Sequence, residues 1–383
     1  MNKRLGTYVV QKNSIEAFKA FIPQALPPDP ALDLQRLLPR LDEATRAVAA
    51  LNSVASAIPN MALFLYMYVR KEALLSSQIE GTTSSFADLM LFESDQACDV
   101  ALEDVEEVSN YVKAVQYALS RMKDGFPLCL RLLRETHEVL LAGTRGKTKL
   151  PGEFRRSQNW IGGARPGTAR FVPPPPEQMI ECLTDFEKFL HDTSLPVLIK
   201  AGLAHVQFET IHPFLDGNGR LGRLLIILLL CSDEVLSEPV LYLSLYLKQN
   251  RREYYDRLQD VRLKGDWEGW LEFFLDGVSV SARQALATIK EVNELFSKDR
   301  VVLESLGRAR FSCIQVFEFL QKLPQVSAGL LSRELRLSLP AVRGAIVHLQ
   351  ALGILHEITQ KRRDKVYVYR QYLDLLSAGA EPL

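Results

Sequence analysis

Apolar residues recur every three or four positions along most of the chain, which is the spacing that places them on one face of an α-helix. Prolines, glycines and short polar runs separate these stretches, and such residues end helices. The fold expected from this pattern is mainly α-helical. Helices are predicted over residues 31–54, 61–80, 99–121, 127–140, 177–191, 198–210 and 271–306, with a short one around 86–92.

Prolines and glycines interrupt the helical pattern at three places. Residues 1–30 form a proline-punctuated arm in which regular helix is not expected. Pro39 falls inside the first helical stretch, so we expect a kink there or a new helix beginning at that residue. The segment 151–176 is rich in glycine and proline, and its short extended pieces at 160–161 and 170–172 predict a small hairpin.

The pattern changes again after residue 308. Three helices followed by a hairpin with a basic tip resemble a winged helix, in which the third helix can enter a DNA groove while Lys361, Arg362 and Arg363 contact phosphate. That helix offers only Arg343 and His348 for such contacts, so packing, dimerisation or protein contact is favoured over DNA binding. The expected helices are 311–320, 327–335 (capped by Ser327) and 338–352, and the expected strands are 354–359 and 365–369.

Composition is that of an ordinary globular protein. The 383 residues are enough for two or three domains, and 46 basic and 46 acidic residues give a net charge of zero, which argues against coating nucleic acid through bulk charge. The five cysteines are dispersed without a CxxC pair, which favours free thiols in a reducing compartment. The longest apolar run is far short of the ~20 residues of a membrane-spanning helix, so we expect a cytoplasmic protein without membrane contact.

The stretch His212–Arg223, HPFLDGNGRLGR, concentrates chemically active groups at one predicted helix start. The apolar run 224–230 follows it and is expected to be a buried helix. The Gly-Asn-Gly triplet at 217–219 therefore lies where free N–H groups and the helix dipole favour phosphate. Asp216 can hold a divalent cation through oxygen, the ligand type that magnesium prefers.

Three further side chains of this stretch suit phosphate chemistry. Arg220 and Arg223 lie one turn apart on one helix face and can contact phosphate oxygens in bidentate fashion. His212 precedes a proline, so extended backbone is expected there, and the preceding helix should end near it. Its imidazole would face the glycine turn and could accept a proton from an attacking hydroxyl. Each feature alone is common, but their combination within twelve residues is far rarer by chance.

This stretch is similar to the signature of Fic-domain proteins, HPFx(D/E)GNGRxxR, at every fixed position. The resemblance implies an adenylyltransferase that moves AMP from ATP to a hydroxyl side chain (Ser, Thr or Tyr) of a target protein, or of itself, and releases pyrophosphate. It implies that His212 is the general base and that Asp216 holds Mg²⁺ on the α- and β-phosphates, while the two arginines hold the β- and γ-phosphates. The ATP-binding residues that it implies here are Asp216, Gly217, Asn218, Gly219, Arg220, Leu221, Gly222 and Arg223.

A second motif, SSQIEG, occupies residues 76–81. Glu80 lies in the last predicted turn of a helix that Gly81 ends, where the dipole disfavours a carboxylate and a nearby cation is expected. By composition alone it would be a solvated surface residue. The pattern (S/T)xxxE(G/N) resembles the inhibitory helix of Fic proteins, in the class with an N-terminal inhibitor. This implies that Glu80 pairs with Arg223, blocks the γ-phosphate and keeps basal activity low. Removal of AMP by the same site, with Glu80 positioning a water, is a further hypothesis.

Two other segments are assigned through the same resemblance. Residues 151–176 resemble the Fic flap, which covers the nucleotide and docks the target chain by strand addition; without the family this would be a structural loop. The run 250–255 resembles the family's NRxxYY region, although aromatic residues at this spacing are usually core. The nucleotide-contacting residues implied are Ile161, Gly162, Gly163 and Ala164 in the flap, and Tyr242, Leu243 and Asn250 on the adenine side.

The expected domains are an N-terminal helical region (1–100), a Fic core (101–275), a helical linker (276–308) and a winged helix (309–375). The expected partners are ATP and a target protein docked on the flap, and a homodimer is compatible with the sequence. His205 is expected to be a packed core residue. Two alternatives stay open: a Fic enzyme that transfers another phosphate-containing group, and a DNA-binding regulator whose Fic core senses nucleotide.

Overall fold

The computed structural model describes residues 4–12, 16–57, 61–93, 101–143, 145–359 and 365–381. The break predicted at Pro59 and the basic tip formed by Lys361, Arg362 and Arg363 lie outside them. The chain is mainly helical, as predicted. In the described part, no helix is both long enough and apolar enough to cross a membrane.

The helices follow the apolar periodicity closely. α1 runs through Pro39 without a break, so the new helix considered at that residue does not form. A proline in the second turn removes only one backbone hydrogen bond. In addition, α1 packs against the long helix α11. The helices up to the flap are α1 (Leu34–Ala57), α2 (Met61–Ile79), α3 (Phe86–Glu93), α4 (Leu102–Lys123) and α5 (Leu130–Leu141). Those after it are α6 (Pro176–Leu190), α7 (Val197–Ile211), α8 (Asn218–Ser232), α9 (Ser244–Gln249), α10 (Arg251–Lys264) and α11 (Trp267–Glu304).

The centre of the fold is the pair α7 and α8, which pack against each other. Every residue of α7 from Leu198 to Ile211 is buried, and α8 is buried from Arg220 to Leu230, as predicted for its apolar run. α2 packs against α4 and α9, and α4 packs against α5 and α8. The loop between α7 and α8 carries the signature, so the surrounding helices hold that loop at the edge of the core.

The N-terminal arm contains a hairpin that the sequence analysis did not predict. β1 (Thr7–Lys12) pairs antiparallel with β2 (Ala17–Ile22). The backbone N–H of Phe21 donates to the carbonyl oxygen of Val172 at 2.9 Å, and Phe18 and Ala20 pack against Val172. The arm therefore covers one side of the segment assigned to the flap.

The hairpin predicted in the flap is reduced to one antiparallel bridge. Ile161 and Phe171 exchange backbone hydrogen bonds of 2.8 and 3.2 Å, and a 3₁₀ turn (Pro166–Thr168) lies between them. Gly162 and Gly163 both have left-handed φ angles, 69° and 78°, which ends the strand pairing immediately after Ile161. The segment is thus an irregular loop whose two ends are joined by the bridge between Ile161 and Phe171.

The C-terminal part contains the predicted helices and a small antiparallel sheet of order β3-β5-β4. The Ser327 hydroxyl accepts from the N–H of Leu330, so the predicted cap is present. β3 and α15 were not predicted, and β4 is shorter than expected. The winged-helix assignment and the domain boundaries stay predictions; α11 crosses residue 276 unbroken. The elements are α12 (Arg310–Lys322), β3 (Gln325–Ser327), α13 (Ala328–Leu335), α14 (Leu339–Ala351), β4 (His356–Glu357), β5 (Val366–Val368) and α15 (Arg370–Ser377).

Candidate active site

The signature loop is shaped by two left-handed residues. His212 ends α7 with φ 49° and ψ 60°, so the extended backbone predicted from the following proline is wrong. The helix does end there, and the left-handed turn is held by hydrogen bonds to the His212 carbonyl from Arg155 Nε (3.0 Å) and Asn159 Nδ2 (3.2 Å). Gly217, with φ 74°, precedes α8, whose first residue is Asn218. The Asn218 side chain bonds both the N–H and the carbonyl of Phe214 at 2.9 Å and so closes the loop on itself.

Next to this loop lies a cavity of about 430 Å³. It brings together residues that are far apart in the sequence: the glutamate of the second motif, the signature loop and one acid of α4. The N-terminus of α8 faces it, which suits an anion. The lining residues are Glu80, Gly81, Thr82, Glu107, His212, Leu215, Asp216, Gly217, Asn218, Gly219 and Arg220.

Arg223 is fully enclosed by the second motif. Its Nη2 lies 2.7 Å from Glu80 Oε1 and 2.9 Å from the Ser76 carbonyl, and its Nε donates to the Ser76 hydroxyl at 2.8 Å. Burial raises the pKa of the Glu80 carboxyl, but the Arg223 guanidinium outweighs it, and the net pKa lies below the ordinary value. A Cβ on Gly219 would come within 2.3 Å of Glu80 Oε1, so any larger residue here would force the Glu80 carboxylate to move. The ion pair expected from the resemblance is thus present in the geometry.

Arg220 makes a contact that the sequence analysis missed. Its Nη1 lies 3.0 Å from Glu107 Oε2 on α4, and its Nη2 lies 3.7 Å from Asp216 Oδ1. The Nε of Arg220 is buried and makes no hydrogen bond within the described residues. The signal in the sequence is weak: Glu107 belongs to a buried polar stretch of α4, and only its spatial neighbour distinguishes it from a surface glutamate.

The imidazole of His212 has a defined tautomer. Nδ1 lies 3.3 Å from the carbonyl oxygen of Glu209, which can only accept, so Nδ1 carries the hydrogen. Burial, together with the guanidinium groups of Arg262 and Arg155, lowers the pKa of His212 to about 3. The ring is therefore neutral at pH 7, and its Nε2 lone pair makes no hydrogen bond to the residues that the structure describes. A neutral imidazole with an open Nε2 lone pair can accept a proton from a hydroxyl.

Glu209, one turn before His212, is the second group that the sequence analysis missed. Its Oε2 lies 3.8 Å from His212 Nδ1, and its Oε1 is buried without a hydrogen-bond partner in the described residues. Burial raises the pKa of Glu209 to about 7, with Arg223 opposing the rise. A Cβ on Gly222 would approach Oε1 to 2.7 Å, so this glycine makes room for the carboxyl.

His137 on α5 supports the loop from the other side. The N–H of Gly152 donates to its Nδ1 at 2.9 Å, so the neutral ring carries its hydrogen on Nε2, which lies 3.0 Å from the carbonyl oxygen of Asp216. The ring stacks on Phe214 with centroids 3.8 Å apart, and burial lowers the pKa of His137 to about 4. His137 thus fixes the backbone beside the carboxylate of Asp216.

His205 is the packed core residue that was predicted. It is buried, with Nδ1 2.9 Å from the Gly222 carbonyl and Nε2 2.9 Å from the Tyr254 hydroxyl. Burial lowers its pKa to about 3, so it is neutral. It links α7 to α8 and α10 and has no access to the cavity.

The residues assigned to the flap and the adenine side do not line this cavity. Tyr242 is buried against the Tyr68 ring, with the Lys71 ammonium 4.7 Å from its centroid. Leu243 is also buried. Asn250 precedes α10 and bonds back to the Tyr246 carbonyl, beside a separate open groove. Within the flap, Trp160 is half-exposed and its Nε1 donates to the Gly163 carbonyl at 3.3 Å. These assignments stay predictions.

Two family models match the parts of the chain that contain the second motif and the signature. Residues 38–120 match the Fic/DOC family N-terminal region, and residues 127–230 match the Fic/DOC family itself. The chain is 31% identical over 253 residues to the protein adenylyltransferase Fic of Drosophila virilis, covering 64% of this chain and 47% of that protein. It is 32% identical over 255 residues to the protein of the same name from Aedes aegypti, covering 63% and 46%.

The chain spans about half the length of these curated relatives. A Fic family protein from Desulfovibrio desulfuricans G20 has a similar fold over most of both chains, with a TM-score of 0.56, 19% identity and coverage of 87% of this chain and 95% of that one. At that identity the likeness concerns the fold alone. The two family matches show that the chain contains a Fic/DOC domain, with its N-terminal part in residues 38–120 and its core in residues 127–230.

Proposed function

We propose that this protein is an ATP-dependent protein adenylyltransferase that Glu80 keeps at low activity. One observation carries the proposal: a neutral histidine with an open Nε2, Arg220 and a helix N-terminus line one cavity, and the Glu80 carboxylate that also lines it is paired with Arg223. The names of the relatives support the same reaction.

In the proposed reaction, a hydroxyl oxygen of the target attacks the α-phosphorus of ATP. Nε2 of His212 takes the hydroxyl proton as the new P–O bond forms. The bond from the α-phosphorus to the bridging oxygen breaks, and pyrophosphate leaves with that electron pair. The N–H groups at the start of α8 stabilise the negative charge that develops on the α-phosphate. Arg220 and Arg223 stabilise the charge on the pyrophosphate leaving group.

The donor set fits a magnesium ion held mainly by the nucleotide. Asp216 projects into the cavity and is 44% exposed; its Oδ1 accepts the N–H of Gly217 at 2.6 Å. Among the described residues, no three His, Cys, Asp or Glu side chains cluster as a metal site. One carboxylate completed by phosphate oxygens and water is a coordination that Mg²⁺ favours. When bound, the ion would neutralise phosphate charge next to Asp216.

Glu80 inhibits because it and the γ-phosphate compete for Arg223. Glu80 and two oxygens of Ser76 already accept from the Nε and Nη2 of Arg223, so a phosphate oxygen can bind at the position of the Glu80 carboxylate only after Glu80 leaves. Removal of AMP with Glu80 positioning a water is part of the proposal. Equal activity of wild type and Glu80→Gly on a purified adenylylated target would contradict that part.

A target segment would dock along the flap by strand addition. The side of the flap at Val172 is already bonded to β2 through Phe21. The side that includes Ile161 and the half-exposed Trp160 is therefore the one that we propose for the target.

The reaction class is tested with ATP labelled at the α- or the γ-phosphate, in the Glu80→Gly variant with lysate as the source of targets. Transfer of α-label without γ-label supports adenylylation, and His212→Ala in the same background should abolish it. Transfer of γ-label would mean phosphorylation instead. No label from either position would contradict the proposal.

A further inference from the structure

The end of the chain packs against the helix that carries Glu80. α15 contacts α2, and Tyr372 and Leu376 are buried. After α15, Gly379 adopts a left-handed conformation (φ 76°), and the Ala380 N–H donates to the Ser377 carbonyl at 2.8 Å. This turn directs residues 378–381, here called the tail, toward the C-terminal end of α2.

The tail is bonded to Gln78, the third residue of the second motif. Gln78 Nε2 donates to the Ala380 carbonyl at 3.0 Å and to the Ser84 carbonyl at 2.9 Å. Lys248 of α9 donates to Gln78 Oε1 at 2.7 Å and also to the carbonyl of Glu381. Gln78 and Ala380 are 1% and 2% exposed. One buried amide therefore joins the inhibitory motif, the turn after it, α9 and the tail.

Gln78 and Glu80 point to opposite sides of the C-terminal end of α2. Glu80 is the first residue after α2, and its N–H donates to the Ser77 carbonyl at 3.0 Å. Glu80 faces the cavity and Arg223, whereas Gln78 faces the tail. The last turn of α2 is thus held between α8 and the tail. Loss of the tail contact would remove one of the two hydrogen bonds that the buried Gln78 Nε2 donates and loosen that turn.

We propose that the tail restrains the inhibitory motif, so that detachment of the C-terminal segment from Gln78 releases Glu80 from Arg223. Activity is then controlled through the C-terminal part of the chain. This inference rests on the proposed inhibitory role of Glu80, and the structural part of it is measurable without any activity.

The test compares Ala380→Asp with Ala378→Asp. Both place a carboxylate in the tail, but Ala380 is buried against Gln78, whereas Ala378 is exposed. Amide hydrogen exchange of residues 76–84 should accelerate on the order of tenfold in Ala380→Asp and not in Ala378→Asp, because a buried hydrogen-bond network is lost. Transfer of α-label should rise several-fold in Ala380→Asp and stay unchanged when the same substitution is added to Glu80→Gly.

Lys248→Met is the second variant, in case Ala380→Asp disturbs folding by circular dichroism. It removes both lysine contacts while keeping the apolar stem, and it should accelerate exchange over the same residues. Unchanged exchange at 76–84 in both variants, with accelerated exchange at 370–381, would overturn the proposal. Faster exchange without a rise in labelling, when Glu80→Gly is active, would also overturn it. A Glu80→Gly variant without activity would instead count against the proposed function.

Discussion

Glu209→Gln tests whether the carboxyl beside His212 assists the proposed base. Glutamine keeps the size of the side chain but cannot become an anion. When His212 takes a proton it becomes an imidazolium whose Nδ1 lies 3.8 Å from Glu209 Oε2. Arg262 and Arg155 disfavour that charge, and Glu80 and Glu209 favour it. The substitution removes the nearest of the favourable charges.

The magnitude follows from the distance. Two unit charges 3.8 Å apart interact by about 4 kcal/mol at an effective dielectric constant of ~20, which is an upper limit because nearby guanidinium groups share the carboxylate. If about a third of this reaches the transition state, the rate falls about tenfold. Because burial raises the pKa of Glu209 to about 7, the carboxylate is present above pH 7 and is lost as the pH falls below it.

The assay is the rate of α-label transfer between pH 6 and 8 in the Glu80→Gly background. The rate should rise with pH through about 7, and Glu209→Gln should be about tenfold slower at pH 8 but only a few-fold slower at pH 6. Glu177→Gln, at an exposed glutamate, is the matched control. A pH profile that keeps its rise near 7 in Glu209→Gln would refute the reasoning.

Two further predictions concern the supports of the signature loop. Arg155→Lys removes the guanidinium bonds to the carbonyls of Pro174 and Ile211 and one of two bonds to that of His212, and it should lower the free energy of unfolding by about 2 kcal/mol, measured by urea titration; the exposed Arg156→Lys should not change it. His137→Leu removes the donor to the Asp216 carbonyl and should destabilise by a similar amount and slow label transfer, whereas His191→Leu at the surface should do neither. An unchanged unfolding midpoint for Arg155→Lys or His137→Leu would show that the substituted residue does not stabilise the signature loop.

Most helices were predictable because they bury one face, and burial produces the apolar spacing that the sequence displays; α9, α10 and α15 were not predicted. The buried run after the signature and the cap at Ser327 are local features of the same kind. The chemistry of the signature is also local, since His212, Asp216 and the arginines lie within three helical turns of one another. Such features need no knowledge of the tertiary structure.

Contacts between distant segments were not predictable. Glu107 meets Arg220 across 113 positions, and Gln78 meets Ala380 across 302. The left-handed turn at His212 is set by donors from Arg155 and Asn159, which override the preference of a residue before proline. The N-terminal hairpin was missed because prolines at 23, 27, 28 and 30 dominate that region, although β2 itself alternates in burial.

The central claim is that Glu80 holds the site closed by occupying Arg223. The measurement is the initial rate of α-label transfer, at saturating ATP and Mg²⁺, by wild type, Glu80→Gly and the Glu80→Gly/His212→Ala double variant. If Glu80 blocks Arg223, we expect low transfer by wild type, a large rise in Glu80→Gly, and loss of label in the double variant. Equal transfer by wild type and Glu80→Gly would contradict it, and so would label that survives His212→Ala.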